Sequence, residues 1–165
     1  MSVIEGELLW EPPEEFIKAS NMVKYMGWLK ETRGLDFADY TALWRWSVSE
    51  TEAFWGAMWD YFEIISDTPY DKVTDCLEMK PGGRWFTGSK VNFAEHIVRM
   101  ARPGQPAFFH LSETRPLARL NWEDMADQIR VWATQLRAMG VKPGDPVCAI
   151  MPNIPETAVL MLAVM

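Results

Sequence analysis

Along residues 121–139 the apolar side chains Met125, Ile129, Trp132, Leu136 and Met139 recur at steps of four, three, four and three. That spacing places them on one face of an α-helix. Asn121 offers an N-cap oxygen, Glu123 and Asp124 put negative charge at the positive end of the helix dipole, and Gly140 supplies the left-handed residue that ends the helix. The pattern then changes. After the turn Lys142-Pro143-Gly144-Asp145, the run Val147-Cys148-Ala149-Ile150-Met151 lacks polar alternation and is closed by Pro152, which predicts a buried strand. A second apolar segment runs from Ile154 to Met165. Helix, turn, strand and apolar segment in this order predict the beginning of an α/β layered domain. Seven large apolar side chains lie in the last segment. At roughly 1.5–3 kcal/mol each they represent on the order of 10–20 kcal/mol of burial, comparable with a whole domain's net stability. The expectation is therefore a truncated α/β domain that continues past Met165.

The first ninety residues follow a different pattern. Consecutive prolines in "LLWEPPEEF" predict an extended arm over residues 1–19, lying across a partner surface. Ser20 is a good N-cap for a short helix with Met22, Val23, Met26, Leu29 and Lys30 on one side, ending at Gly34. A second helix is predicted over Phe37–Trp46, carrying Phe37, Tyr40, Leu43 and Trp44. A third starts at Ser49, where Glu52 completes a capping box, and presents Phe54, Trp55, Met58, Trp59 and Phe62. Three aromatic helices in succession make a helical lobe. Turn residues from Ser66 to Gly83 predict a connecting loop over 66–90. A helix follows from Asn92 to Ala101, and "QPAFFHLSETRPLARLNW" reads as two strands around the turn Glu113-Thr114-Arg115-Pro116.

Composition narrows the class. Apolar residues make up 48% and charged residues 24%, as in a globular protein, and nine Trp with eleven Met suit a core of amphipathic helices. Of the net charge of −7, most belongs to residues 1–60, with eleven acids against five bases. An acidic chain without a basic stripe argues against nucleic acid and anionic membrane surfaces as partners. Cys76 and Cys148 read as free thiols, and no stretch has the form of a secretory leader or a bilayer span, so a cytoplasmic location is expected.

Catalytic chemistry is harder to find. "GRWFTGSK" spaces Gly83 and Gly88 as a phosphate loop does, but Ser89 precedes Lys90 and no apolar strand delivers the loop. His96 and His110 have no Cys or carboxylate at ligand spacing and read as structural or surface residues. Glu14-Glu15 and Glu123-Asp124 read as solvated or dipole-compensating acids. No catalytic, cofactor-binding or metal-ligating residue is assigned.

Several blocks carry a family resemblance. "RAMGVKPGDPVCAIMPNIPETAVLMLAVM" resembles the start of the adenylate-forming acyl-CoA synthetases: a helix ending in Gly-Val (Gly140, Val141), then Gly-Asp-x-Val (Gly144, Asp145, Val147), an apolar strand, and Pro-Asn-x-Pro-Glu (Pro152, Asn153, Pro155, Glu156). Trp85, Phe86, Gly88, Asn92, Ala94 and Glu95 fit that family's "WFxGxxLNxAxN" element, with Val91 in place of leucine and His96 in place of asparagine. "LLWEP", Ser20–Met22 and "YxxLWxWSV" (Tyr40, Leu43, Trp44, Trp46, Ser47, Val48) resemble the N-terminal region of acetoacetyl-CoA synthetases in particular.

The resemblance implies a helical N-terminal region at 1–90 and the start of an AMP-forming ligase α/β domain at 91–165. It further implies a ligase that activates acetoacetate with ATP and Mg²⁺ as an acyl-adenylate and transfers the acyl group to coenzyme A. The machinery is expected in the missing C-terminal portion of the same fold, so this piece is expected to be inactive alone. Acetyl- or propionyl-CoA synthetases, or a non-catalytic interaction module, are the alternatives.

Overall fold

Proline and capping residues decide where the chain begins to coil. The computed structural model describes residues 4–78 and 81–165; the first three residues of the arm lie outside them. The arm stays irregular up to Pro13, then enters helix α1 (Glu14–Ala19), with Pro13 at the N-cap and Lys18 paired to Glu14 at 2.7 Å. The expected extension thus stops six residues early, because a proline tolerated at a helix start does not prevent a helix after it.

The fold is α/β, and its residues gather into two units, one comprising residues up to Ile64 with Thr68–Ser89, the other Ile65–Asp67 with Lys90–Met165. In the first, α2 (Asn21–Arg33) is capped as expected. The Val23 N–H donates to Ser20 Oγ at 3.3 Å, and Gly34 takes φ +68°. α3 (Tyr40–Ser49) begins later than expected, capped by Asp39 rather than including Phe37. α4 (Thr51–Tyr61) has no capping box: Ser49 is the last residue of α3, and its hydroxyl donates back to the Trp46 carbonyl.

Tyr25, Leu29, Leu43 and Ala57 are buried, with Trp28, Phe37, Trp46, Phe54, Met58 and Tyr61 packed around them. Tyr25 meets Tyr61 edge to face at 4.9 Å between ring centroids. Met22, Val23, Tyr40 and Trp44, expected on the inner faces, are exposed.

The predicted loop at 66–90 contains a hairpin. β1 (Lys72–Thr74) pairs antiparallel with β2 (Trp85–Thr87), Lys72 opposite Thr87 and Thr74 opposite Trp85. Its strands are three residues each, too short for an alternating pattern to stand out among so many turn residues. Trp59 of α4 holds it, its ring packed at a tilt against Phe86 at 4.5 Å and meeting Tyr70 at 5.2 Å.

In the second unit, α5 (Phe93–Arg99) is capped by Asn92, whose side chain accepts from the Glu95 N–H at 3.0 Å. β3 (Pro106–His110) and β4 (Ala118–Asn121) form the expected antiparallel hairpin, with an irregularity between Pro106 and Phe108. α6 (Trp122–Ala138) follows, and Gly140 takes φ +93° as the Val141 N–H returns to the Leu136 carbonyl. Asn121 occupies the N-cap without a side-chain bond.

The buried face of α6 is Met125 and Ile129, with Ala133 and Leu136 beside them, whereas Trp132 and Met139 are exposed. They pack with Ala94 and with Val159, Leu162 and Ala163 of α7 (Pro155–Val164), which opens on Pro155.

One expectation fails outright. Val147–Met151 is not a strand, Cys148 is exposed, and Ile150 is fully so at 104%. A strand needs a hydrogen-bonded neighbour. The described residues form only the β1–β2 and β3–β4 pairs.

Candidate functional site

The glycine-rich stretch at 83–90 spaces its glycines as a phosphate loop does, and its geometry is built differently. Gly88 takes φ +88°, and a Cβ placed there would lie 2.7 Å from Asp71 Oδ2. A carboxylate therefore stands against the glycine where a phosphate loop would present backbone donors to an anion. The Thr68 hydroxyl donates to the Gly88 carbonyl at 2.7 Å. Phe86 adopts φ +47°, held by its ring contact with Trp59 and by the Ser89 hydroxyl donating to its carbonyl at 2.6 Å. A non-glycine residue there costs about 1–2 kcal/mol, which the aromatic contacts must offset.

The two histidines differ. His96 Nε2 accepts from the Ile65 N–H at 2.9 Å, and Nδ1 lies 2.9 Å from the Asn92 carbonyl, which assigns the proton to Nδ1. Nε2 holds Ile65 to α5, and Nδ1 ties the ring to the N-cap of its own helix. His110 lines a cleft of about 380 Å³ between β3 and the start of α7, with Phe108, Leu111, Asn153, Thr157 and Met161. At the N-terminus of α7, Glu156 is held below the ordinary carboxylate range by its own backbone N–H and by Arg115, whose Nη1 donates at 2.8 Å, with the charge of His110 adding to the effect.

The acid pairs play structural parts. Glu123 is likewise lowered, by its own backbone N–H and by the Gly104 N–H donating at 2.6 Å, which ties the turn before β3 to the start of α6. Asp75 is lowered by the Arg84 N–H at 2.8 Å and the Arg84 Nε at 2.7 Å, closing the β1–β2 hairpin. The sequence reading missed this pair, though a carboxylate nine residues from an arginine across a Pro-Gly-Gly turn was a usable signal.

A second concavity, of about 240 Å³, lies between α2, α3 and α4 and is almost wholly apolar, lined by Met22, Tyr25, Tyr40, Leu43, Trp44 and Phe62 among others. Burial pushes the Tyr25 hydroxyl up to about 12. Among the described residues, no three His, Cys, Asp or Glu side chains converge as metal ligands, and no helix is long and apolar enough to cross a membrane. The arrangement packs the elements and caps their ends.

Comparison with known proteins gives these elements a context. Residues 40–97 match the family described as acetyl-coenzyme A synthetase N-terminus, and residues 97–165 match the AMP-binding enzyme family. The acetoacetyl-coenzyme A synthetase of Rhizobium meliloti (strain 1021) is 37% identical over 155 residues, covering 94% of this chain and 24% of the relative. That of Rattus norvegicus is 30% identical over 163 residues, again covering 24% of the relative. The solved structure of acetoacetyl-CoA synthetase from Streptomyces lividans superposes with a TM-score of 0.85 at 38% identity, over 95% of this chain and 25% of that one. The chain thus spans about a quarter of the length of the curated relatives it matches, and is similar to them over that quarter.

Proposed function

We propose that this chain is the N-terminal portion of an AMP-forming acetoacetate–CoA ligase, which converts acetoacetate to acetoacetyl-CoA through an acyl-adenylate. The observation that carries the reading is the tandem match of two ligase families, meeting at residue 97, on a chain homologous nearly end to end with acetoacetyl-CoA synthetases. We divide the chain into a helical N-terminal region at 1–90 and the beginning of the α/β adenylation domain at 91–165, a division supported by the two compact units.

ATP, coenzyme A and Mg²⁺ belong to the whole enzyme's reaction, and the residues that hold them are assigned to the rest of the fold. The role of these 165 residues is to scaffold: Glu156 and Arg115 fix the start of α7, and Glu123 fixes the start of α6. Acetoacetate, the small-acid substrate, is supported by the names of the relatives. One further relative, a malonamoyl-CoA synthetase of Penicillium aethiopicum at 28% identity, suggests a site suited to short acids with a second carbonyl near the carboxylate. The location we infer is cytoplasmic, in keeping with two free thiols.

The test is to express the complete reading frame and measure ATP- and CoA-dependent loss of acetoacetate beside acetate and malonamate. Preference for acetoacetate is expected. Preference for acetate would remove the substrate assignment, and turnover by the purified 165-residue chain would overturn the scaffolding role.

A further inference from the structure

The short segment 65–67 is held by two kinds of hydrogen bond, which respond differently to a proton. Ser66 and Asp67 are tied to Lys90. The Ser66 hydroxyl donates to the Lys90 carbonyl at 2.9 Å and accepts from the Lys90 N–H at 3.1 Å, and the Asp67 N–H donates to the same carbonyl at 3.3 Å. Hydroxyls and backbone amides do not titrate near neutrality. Ile65 is held otherwise, because its N–H donates to an imidazole nitrogen, Nε2 of His96, at 2.9 Å. We propose that His96 is a proton-controlled latch, which holds Ile65 to α5 while the imidazole is neutral and releases it when the ring takes up a proton. The proposal does not depend on the ligase reading.

The second ring nitrogen keeps the latch in place in both states. Nδ1 lies 2.9 Å from the Asn92 carbonyl, one turn back at the N-cap of α5, and donates to it in the neutral ring. Imidazolium is a donor at both nitrogens, so this bond survives protonation and the ring stays where it is. Nε2 then turns an N–H toward the Ile65 N–H. Two donors face each other across a part-buried gap set for one hydrogen bond, and the Ile65 amide loses its acceptor. The tie is therefore present on the alkaline side of imidazole titration and lost as pH falls through it.

The charged groups around the ring come from four places. Glu63 and Asp67 flank Ile65, Lys90 lies beside the segment, Glu95 and Arg99 share α5 with His96, and α7, packed on α5, carries Glu156, which pairs with Arg115. Carboxylates, ammonium and guanidinium groups ordinarily keep their charge between roughly pH 5 and 8, so imidazole is the kind of group in this set that changes there. The other histidine, His110, lies on β3 in a different cleft.

The experiment is residue-resolved amide hydrogen exchange on the product of the complete reading frame, from about pH 8 to about pH 5, each rate divided by that of an unstructured chain at the same pH. Protection of the Ile65 amide should fall by at least about tenfold, as expected for the loss of one hydrogen bond. The Glu95 amide, held by Asn92 Oδ1 at 3.0 Å, and the amide of buried Ile129 should keep theirs. His96→Gln offers an oxygen acceptor that does not titrate, and should make protection at Ile65 independent of pH. His110→Gln should leave the fall intact. Constant protection of Ile65 in the parent, a fall that persists in His96→Gln or vanishes in His110→Gln, or a parallel loss at Glu95 and Ile129 would overturn the proposal.

Discussion

Replacing Gly88 with alanine tests whether the β1–β2 hairpin is built around a position that no side chain fits. At φ +88° alanine takes on the left-handed penalty, about 1–2 kcal/mol. Its Cβ would also lie 2.7 Å from Asp71 Oδ2 and 3.2 Å from Asp71 Cγ. Rotating that carboxylate away costs about 0.5–1.5 kcal/mol. The single substitution should therefore destabilise by about 1.5–3.5 kcal/mol, the sum of the two.

In an Asp71→Ala background only the backbone part remains, so the same change should cost about 1–2 kcal/mol. The difference is the coupling energy. The bond from the Asp71 N–H to the Thr87 carbonyl, 2.7 Å, is a backbone bond and survives in both. Urea denaturation followed by near-UV circular dichroism is the assay, since all nine tryptophans except Trp122 and Trp132 lie in the unit containing the hairpin. Equal costs in the two backgrounds would refute the reasoning.

Other expectations follow from single contacts. Leu29, 0% exposed, should cost about 2–5 kcal/mol as Leu29→Ala in urea melts, whereas Leu111→Ala at a 70% exposed site should stay within about 0.5 kcal/mol. Asp75 has its pKa lowered in the folded state, so its stabilisation is present above its ordinary value of 3.8 and is lost as pH falls through the folded value. The stability gap between the parent and Asp75→Asn should accordingly be constant near neutrality and close in acid; a gap undiminished well below 3.8 contradicts the assignment. Nitrogen-15 spectra should show His96 as the Nδ1–H tautomer, and His96→Phe should cost about 1–3 kcal/mol by leaving the part-buried Ile65 N–H unpaired; the opposite tautomer would discount this.

Local signals were legible in the sequence, and non-local ones were not. Ser20, Gly34 and Gly140 act where their own chemistry places them, because a cap needs only neighbours within a turn. The same locality misled at Ser49, which satisfies the capping-box pattern but belongs to the helix before it. Apolar faces were half right. In α6 the periodicity found Met125 and Ile129, yet chose Trp132 and Met139 over Ala133, since size in sequence does not reveal which side α7 covers. The functional assignment came from residues such as Trp44 and Asn153 that do no chemistry visible here, so motif spacing alone could not have supplied it. Gly88 was the exception: its neighbour Asp71, seventeen positions away, explains a rejection that the sequence based on the order of Ser89 and Lys90.

The stretch from Val147 to Ile150 also carries a hazard of its own. As long as no strand lies beside it, four residues of open backbone with Ile150 fully in solvent form a template for any passing edge. Pro146 and Pro152 bracket that template and each withholds a donor, which shortens the length over which a wrong neighbour could add. Replacing those prolines should first be felt in the yield of the newly made protein rather than in the stability of the finished one.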